Sequence, residues 1–331
     1  IRVCATISIT YVCIRIVGCE QFRCQMLAVE TEILSYGEHT QRERIKRYLI
    51  PGERPIYRGV IAIHGGAWRD PNNTCSDFDE YVQKWAEMND IEEGRKRGLG
   101  MVVYSVDYKL SCERGVFPQI VFDIMGALEV IKGDSRQFWA EKEDGGNVSS
   151  FNDNNNNNDN NNDNECHGDP QSKELDFTIV GHSVGCTIIT QILEIDSVRC
   201  GNDIGLLPLI SRAVFLDGIY NVESMLSEYP EYEFFILEEF GSIENSKRCN
   251  SITQGCVCIS PLVLQKWQQL QDILIIHSSR DELLSFKQAD EFRDWLKANG
   301  LYQFQCIYKD FGMHNNVYVN PEVAAVVYRY I

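Results

Sequence analysis

Apolar residues in this chain fall into short continuous runs, and the stretches between those runs carry helical spacing. Residues 58–63 (RGVIAI), 101–106 (MVVYSV), 177–180 (FTIV), 213–216 (AVFL) and 272–276 (DILII) are of the first kind. Such runs, rich in β-branched residues, are how strands buried on both faces read. Residues 77–88 have helical spacing, as do 117–131, with Ile120, Val121, Ile124, Leu128 and Ile131 on one stripe. Thr187, Ile188, Ile189, Ile192 and Leu193 mark a third helix, and residues 222–240 read as helices dense in acids and aromatics. A helix over 285–299 is closed by Gly300, 302–308 alternates like a strand, and 321–330 makes a last helix. The polar stretch 38–47 reads as a loop or a strand edge. Strands alternating with helices predict an α/β fold: a mostly parallel sheet with helices on both faces. Ligands of such sheets sit at the carboxyl ends of the strands.

Two segments stand outside this pattern. Residues 141–172 hold an Asn/Asp tract from Asn152 to Asn164, too polar to offset its ordering entropy, and are expected to be a disordered insert. Residues 1–37 read as a poorly defined N-terminal extension. Their apolar part, Ile1 to Gly18, is interrupted by Arg2 and Arg15, so it is too short and broken for a membrane span and lacks a convincing signal-peptide cleavage site. The remaining 38–331 reads as one domain.

Charge and cysteine usage narrow the function. A net charge of −17 repels phosphate backbones and anionic lipid, which disfavours nucleic-acid and membrane-surface roles. Thirteen cysteines without a C-x-x-C pair fit reduced thiols better than a zinc site, so no metal is expected.

The candidate chemistry gathers at strand ends. Strand 177–180 runs into Gly181-His182-Ser183-Val184-Gly185, and a helix follows at once. Strand, G-x-S-x-G, helix is a nucleophile elbow, a strained turn that lifts a serine hydroxyl clear of the sheet. A serine needs an imidazole to take its proton, and the imidazole needs an oriented acid. Of six histidines, His167 lies in the insert, His39 in the polar stretch, and His182 inside the elbow. His277 reads as structural and His64 opens a glycine pair, which leaves His314 in the loop after the last strand. Asp281, after strand 272–276, is the candidate acid, with Asp217 and Asp310 as rivals. The order Ser183, Asp281, His314 is that of α/β-hydrolases. His64-Gly65-Gly66 follows its strand as an HGG motif, so the amides of Gly65, Gly66 and Val184 are the expected oxyanion donors.

HGGAW with RDPNNTCSDF, GHSVG, LDGIY with SEYPEYEFF, SSRDELLSF and GMHNNVY together resemble fungal kynurenine formamidases (arylformamidases) from about residue 56 onward. The resemblance implies an α/β-hydrolase that converts N-formyl-L-kynurenine to L-kynurenine and formate, in tryptophan catabolism feeding NAD synthesis. It implies Ser183 as nucleophile, Asp281 as acid and His314 as base, in a cytosolic homodimer with no metal or cofactor. Trp68 is expected either to wall the acyl pocket and stack on the substrate ring or to be core. Tyr220 and helices 222–240 are the candidate lid. A broader carboxylesterase and a catalytically silent scaffold are the competing readings. The acidic lid candidates count against a lipase, and the complete Ser-Asp-His order counts against silence.

Overall fold

The computed structural model describes residues 8–12, 27–38, 41–52, 54–91, 99–144, 176–199, 209–255 and 259–331. Among the described residues nine strands form one sheet: β1 (Ser8–Val12), β2 (Leu27–Ser35), β3 (Arg44–Ile50), β4 (Arg54–Ile63), β5 (Leu99–Val106), β6 (Asp176–His182), β7 (Ile210–Leu216), β8 (Asp272–Ser278) and β9 (Phe304–Lys309). Their order across the sheet is β1-β2-β3-β5-β4-β6-β7-β8-β9. The first three strands pair antiparallel and the rest parallel. The helices are α1 (Asp79–Ile91), α2 (Gln119–Asp144), α3 (Val184–Arg199), α4 (Val222–Glu228), α5 (Glu233–Phe240), α6 (Ile243–Ser246), α7 (Pro261–Gln269), α8 (Lys287–Ala298) and α9 (Pro321–Tyr330).

The two-residue period of the strands sorts the core into two layers. Ile61, Ile63, Ile179, Phe215, Ile273 and Ile275 face one way and pack with Ile124, Ile188, Trp267 and Phe292 of the helices. Val60, Ala62, Val180, Val214, Leu274 and Ile276 face the other way and meet Tyr81, Trp85, Val323 and Val327. Both faces are covered, which is why the runs read as continuous rather than alternating. Buried polar tips are satisfied across the second layer: Trp85 Nε1 donates to Ala324 O at 2.9 Å and Tyr81 OH to Val317 O at 2.8 Å.

The chain leaves β4 for β5 on one side and returns to β6 on the other. That reversal opens a crevice at the carboxyl ends of β4 and β6, where the glycine pair and the elbow lie.

Two expectations need correction. Residues 27–35 do not stand apart from the sheet: β2 pairs with β3 from Glu30↔Leu49 to Ser35↔Arg44, and β1 pairs with β2. For the same reason β3 is interior rather than a loop or edge. Its charges are paired inside the fold: Arg47 meets Glu32 of β2 and, at 2.6 Å, Asp134 of α2, which also accepts from Tyr104 OH. Of the expected insert, residues 141–144 continue α2; the Asn/Asp tract lies outside the described residues. No described helix is long and apolar enough to cross a membrane.

Candidate active site

The elbow is built by exclusion of side-chain volume. Ser183 has φ +55°, a conformation that costs a non-glycine residue of order 1–3 kcal/mol and persists only where its surroundings impose it. A Cβ on Gly181 would lie 2.7 Å from Ile189 Cδ1 and 2.8 Å from Gly185 C, and one on Gly185 would overlap the carbonyl oxygen of Ile63. Ser183 N donates to Leu216 O at 3.0 Å, and Ile219 N donates to Ser183 O at 3.2 Å, which ties the turn to β7. Gly185→Ala is therefore expected to cost about 3 kcal/mol, the upper end for overpacking, because the obstacle is backbone. Thermal denaturation checks this against Gly133→Ala, where a Cβ meets nothing within 4 Å and stability should hold or rise.

Behind the serine, the loop after β4 carries the glycine pair. Gly65 approaches so closely that a Cβ there would sit 2.9 Å from Ser183 Cβ, and Gly66 has φ +96°. Ala67 and Trp68 follow at φ +49° and +59°. His64 is fully buried, stacked on Tyr108 with centroids 4.2 Å apart, and its Nε2 lies 3.3 Å from Asp107 Oδ1. Tyr108 OH donates to Gly65 O at 2.8 Å, so His64 and Tyr108 hold the loop from beneath.

The acid and the histidine meet from different strand ends. Asp281 Oδ1 accepts from the amides of Leu283 (2.8 Å) and Leu284 (2.9 Å), while Oδ2 accepts from His314 Nδ1 at 2.7 Å. That bond places the proton on Nδ1 and leaves Nε2 as the basic nitrogen. Ser183 and His314 line one cavity of about 440 Å³ with Gly66, Ala67, Leu283 and others. That volume suits a small organic molecule.

No known protein-family profile matches the chain. A kynurenine formamidase of Saccharomyces cerevisiae is 30% identical over 277 residues, covering 81% of this chain and 87% of that one. The chain belongs to the kynurenine formamidase family. The family's Meyerozyma guilliermondii member is 28% identical over 302 residues, 90% of this chain and 92% of that one. Among solved structures, a truncated carbohydrate esterase from gut microbiota superposes with a TM-score of 0.58 at 14% identity, over 90% and 93% of the two chains. Carboxyl esterase 2 of Tuber melanosporum gives 0.55 at 12%, over 91% and 86%. The fold is thus the α/β-hydrolase fold, as the motif order led one to expect.

In this member of the formamidase family, two expected pocket residues lie elsewhere. Trp68 is fully buried, with its ring 6.1 Å from Phe235 and 5.6 Å from Phe240, so the core alternative holds and it does not wall the pocket. Tyr220 is fully buried and stacks on Phe292 at 4.3 Å, which removes it from the lid. The segment 222–240 borders the cavity, since Tyr232 OH donates to Leu283 O at 3.1 Å and Leu283 is part of the cavity lining. Gly65 and Val184 are not among the cavity-lining residues, whereas Gly66 and Ala67 are. Ala67 was not among the residues expected at the site, since nothing in an alanine's side chain signals a role that its backbone amide would fill. Among the described residues, no backbone acceptor takes the amides of Gly65, Gly66, Ala67 or Val184.

His182, placed inside the elbow by the sequence, supports His314. Its Nε2 donates to His314 O at 3.1 Å and its ring lies 4.7 Å from that of His314. Burial, reinforced by His314, holds it well below the ordinary imidazole range, so it stays neutral.

Asp217, the rival acid, lies one layer deeper. It accepts from Ser278 N at 2.7 Å, and His277 Nδ1 is 3.8 Å away. Asp217, His277 and Asp281 are the metal-spaced group found among the described residues, with ligand atoms within 4.8 Å. Both Asp281 oxygens and His277 Nε2 (3.2 Å from Leu284 O) are already committed to protein partners. Burial, with the charge of Asp281 adding to it, pushes the Asp217 carboxyl from 3.8 up to about 8. The folded chain thus keeps a proton that the unfolded chain releases above about pH 4, and stability falls as pH rises from there to 8. The slope is at most about 1.4 kcal/mol per pH unit. Asp217→Asn has nothing to ionise, so its melting temperature should gain on wild type progressively from pH 5 to 8. A difference flat with pH would contradict this assignment.

Proposed function

We propose that this chain hydrolyses N-formyl-L-kynurenine to L-kynurenine and formate as a serine hydrolase, within tryptophan catabolism. The single observation that carries the mechanism is the 2.7 Å bond from His314 Nδ1 to Asp281 Oδ2 behind a cavity shared by His314 and Ser183. The substrate rests on the 30% identity to the Saccharomyces kynurenine formamidase.

Ser183 Oγ attacks the formyl carbon as His314 Nε2 takes its proton. Charge gathers on the formyl oxygen, which amides of the loop Gly65 to Ala67 and the amide of Val184 receive. These donors are fixed by the loop and the start of α3, so they need no reorganisation at the moment of reaction. The C–N bond then breaks as His314 returns the proton to the departing arylamine, a better leaving group than an alkylamine. The formyl-serine ester remains. Water attacks it, giving a proton to the same nitrogen, and formate leaves with Ser183 reprotonated. Asp281 stays ionised throughout and stabilises the imidazolium.

Kynurenine release followed by absorbance tests this, with p-nitrophenyl acetate run alongside. Ser183-dependent turnover favouring the formamide supports the reading. Turnover of the acetate alone, equally Ser183-dependent, would make the chain a general esterase instead. A homodimer in the cytoplasm is the setting we propose. Light scattering tests the stoichiometry, as one or two multiples of 37.9 kDa.

A further inference from the structure

We propose that Arg69 and Asp70 are the subsite for the amino-acid head of the substrate, Arg69 taking the α-carboxylate and Asp70 the α-ammonium. This rests on the reading of the substrate as N-formylkynurenine.

Trp68, one candidate to stack on the substrate, and Tyr220, a candidate for the lid, are both in the core, so selectivity must come from what lines the cavity. Apart from His314, the lining holds two charged side chains, adjacent and opposite in sign: Arg69 and Asp70. Asn73, Leu283 and Asn315 beside them are neutral. The substrate is an aryl formamide with a zwitterionic tail, a carboxylate and an ammonium on one carbon. An adjacent Arg/Asp pair is the matching complement, and a planar guanidinium receives a carboxylate on two parallel N–H bonds.

Both side chains are held. The Arg69 guanidinium lies 4.8 Å from the centre of the Phe234 ring, and its Nε is 2.9 Å from Glu238 Oε2. It therefore spans from the oxyanion loop to α5, with 42% of its side chain still exposed. Asp70 Oδ1 accepts from Asn72 N and Nδ2, both at 2.9 Å, which orients the carboxylate. The amides of Arg69 and Asp70 both donate to Gly66 O, at 2.9 and 2.8 Å. The same short turn thus carries the proposed oxyanion donors and the proposed head-group pair, so gripping the tail registers the formyl group over Ser183. The surrounding field strengthens the case. Glu228 ends α4, Glu231 lies in the turn that follows, and Glu233 and Glu238 are on α5, so a carboxylate entering without a cationic partner would be repelled.

The test compares kcat/KM for four aryl formamides: N-formylkynurenine, its analogue without the carboxylate, its analogue without the amine, and formanilide. The proteins are wild type, Arg69→Gln and Asp70→Asn. Arg69→Gln should lower the ratio of N-formylkynurenine to formanilide at least tenfold, mainly through KM. It should not alter discrimination between the carboxylate-free analogue and formanilide. Asp70→Asn should show the same pattern for the amine. An equal fall on all four substrates would mean the pair only shapes the loop, and would overturn the proposal, as would unchanged ratios. Wild type that leaves N-formylkynurenine intact while cleaving esters would instead overturn the proposed function, and this subsite with it.

Discussion

Ser183→Ala is expected to lower kcat for N-formylkynurenine by about 10⁵-fold or more, since nothing else in the cavity replaces the covalent step. KM should change little, because the cavity walls are untouched. The fold should survive as well. Alanine at φ +55° carries the same backbone strain as serine, and the hydrogen bonds that pin the turn run through the backbone of residue 183. Loss of activity with an unchanged melting temperature therefore isolates the hydroxyl. A variant retaining a tenth of wild-type turnover would mean that water, not serine, attacks the formyl carbon.

Asp281→Asn should cost about 10⁴-fold in kcat at neutral pH, the loss expected when a catalytic histidine is held in the wrong tautomer. The local bonds dictate that outcome. The side-chain oxygen must go on accepting from the amides of Leu283 and Leu284. The new NH₂ then occupies the position of Oδ2 and faces His314 Nδ1. Two donors cannot meet there, so His314 moves its proton to Nε2 and can no longer accept one from Ser183. Asp217→Asn provides the contrast. Asp217 already holds a proton below about pH 8, so its replacement should leave kcat within a few-fold of wild type. If the two variants exchanged these effects, Asp217 would be the working acid. Assays of kynurenine release at pH 7 on both decide between them.

Much of the site was legible because its chemistry is local in the chain. The elbow needs a glycine two residues to either side of Ser183, and the clashes at Gly181 and Gly185 show why that spacing cannot vary. Asp281 and His314 could be picked as strand-end residues in the right order. Their 2.7 Å approach depends on β8 and β9 lying side by side, which a parallel α/β pattern already suggests.

What was misread depends on contacts between segments far apart in sequence. Trp68 lies four residues after His64, and only the position of α5 puts it against Phe235 and Phe240 rather than the cavity. Tyr220 is hidden by Phe292, which lies far on in the sequence on α8. The β3 strand looked like a surface stretch because Arg47 and Lys46 are charged, and Arg47's partners Glu32 and Asp134 lie on β2 and α2. His182 was judged by its place inside the elbow, whereas its role comes from the loop that carries His314 folding back over it. Arg69 and Asp70 sat in plain view next to HGGAW. Their chemistry could be read only once the cavity was seen to include them and to exclude the aromatics.

Covalent capture tests the central claim most directly. The native chain is treated with a fluorophosphonate and mapped by peptide mass, with and without excess N-formylkynurenine. One adduct on the peptide containing Ser183, suppressed by the substrate, is the expected result. A chain that hydrolyses N-formylkynurenine while Ser183 stays unlabelled, or labelled equally in the presence of substrate, would contradict it.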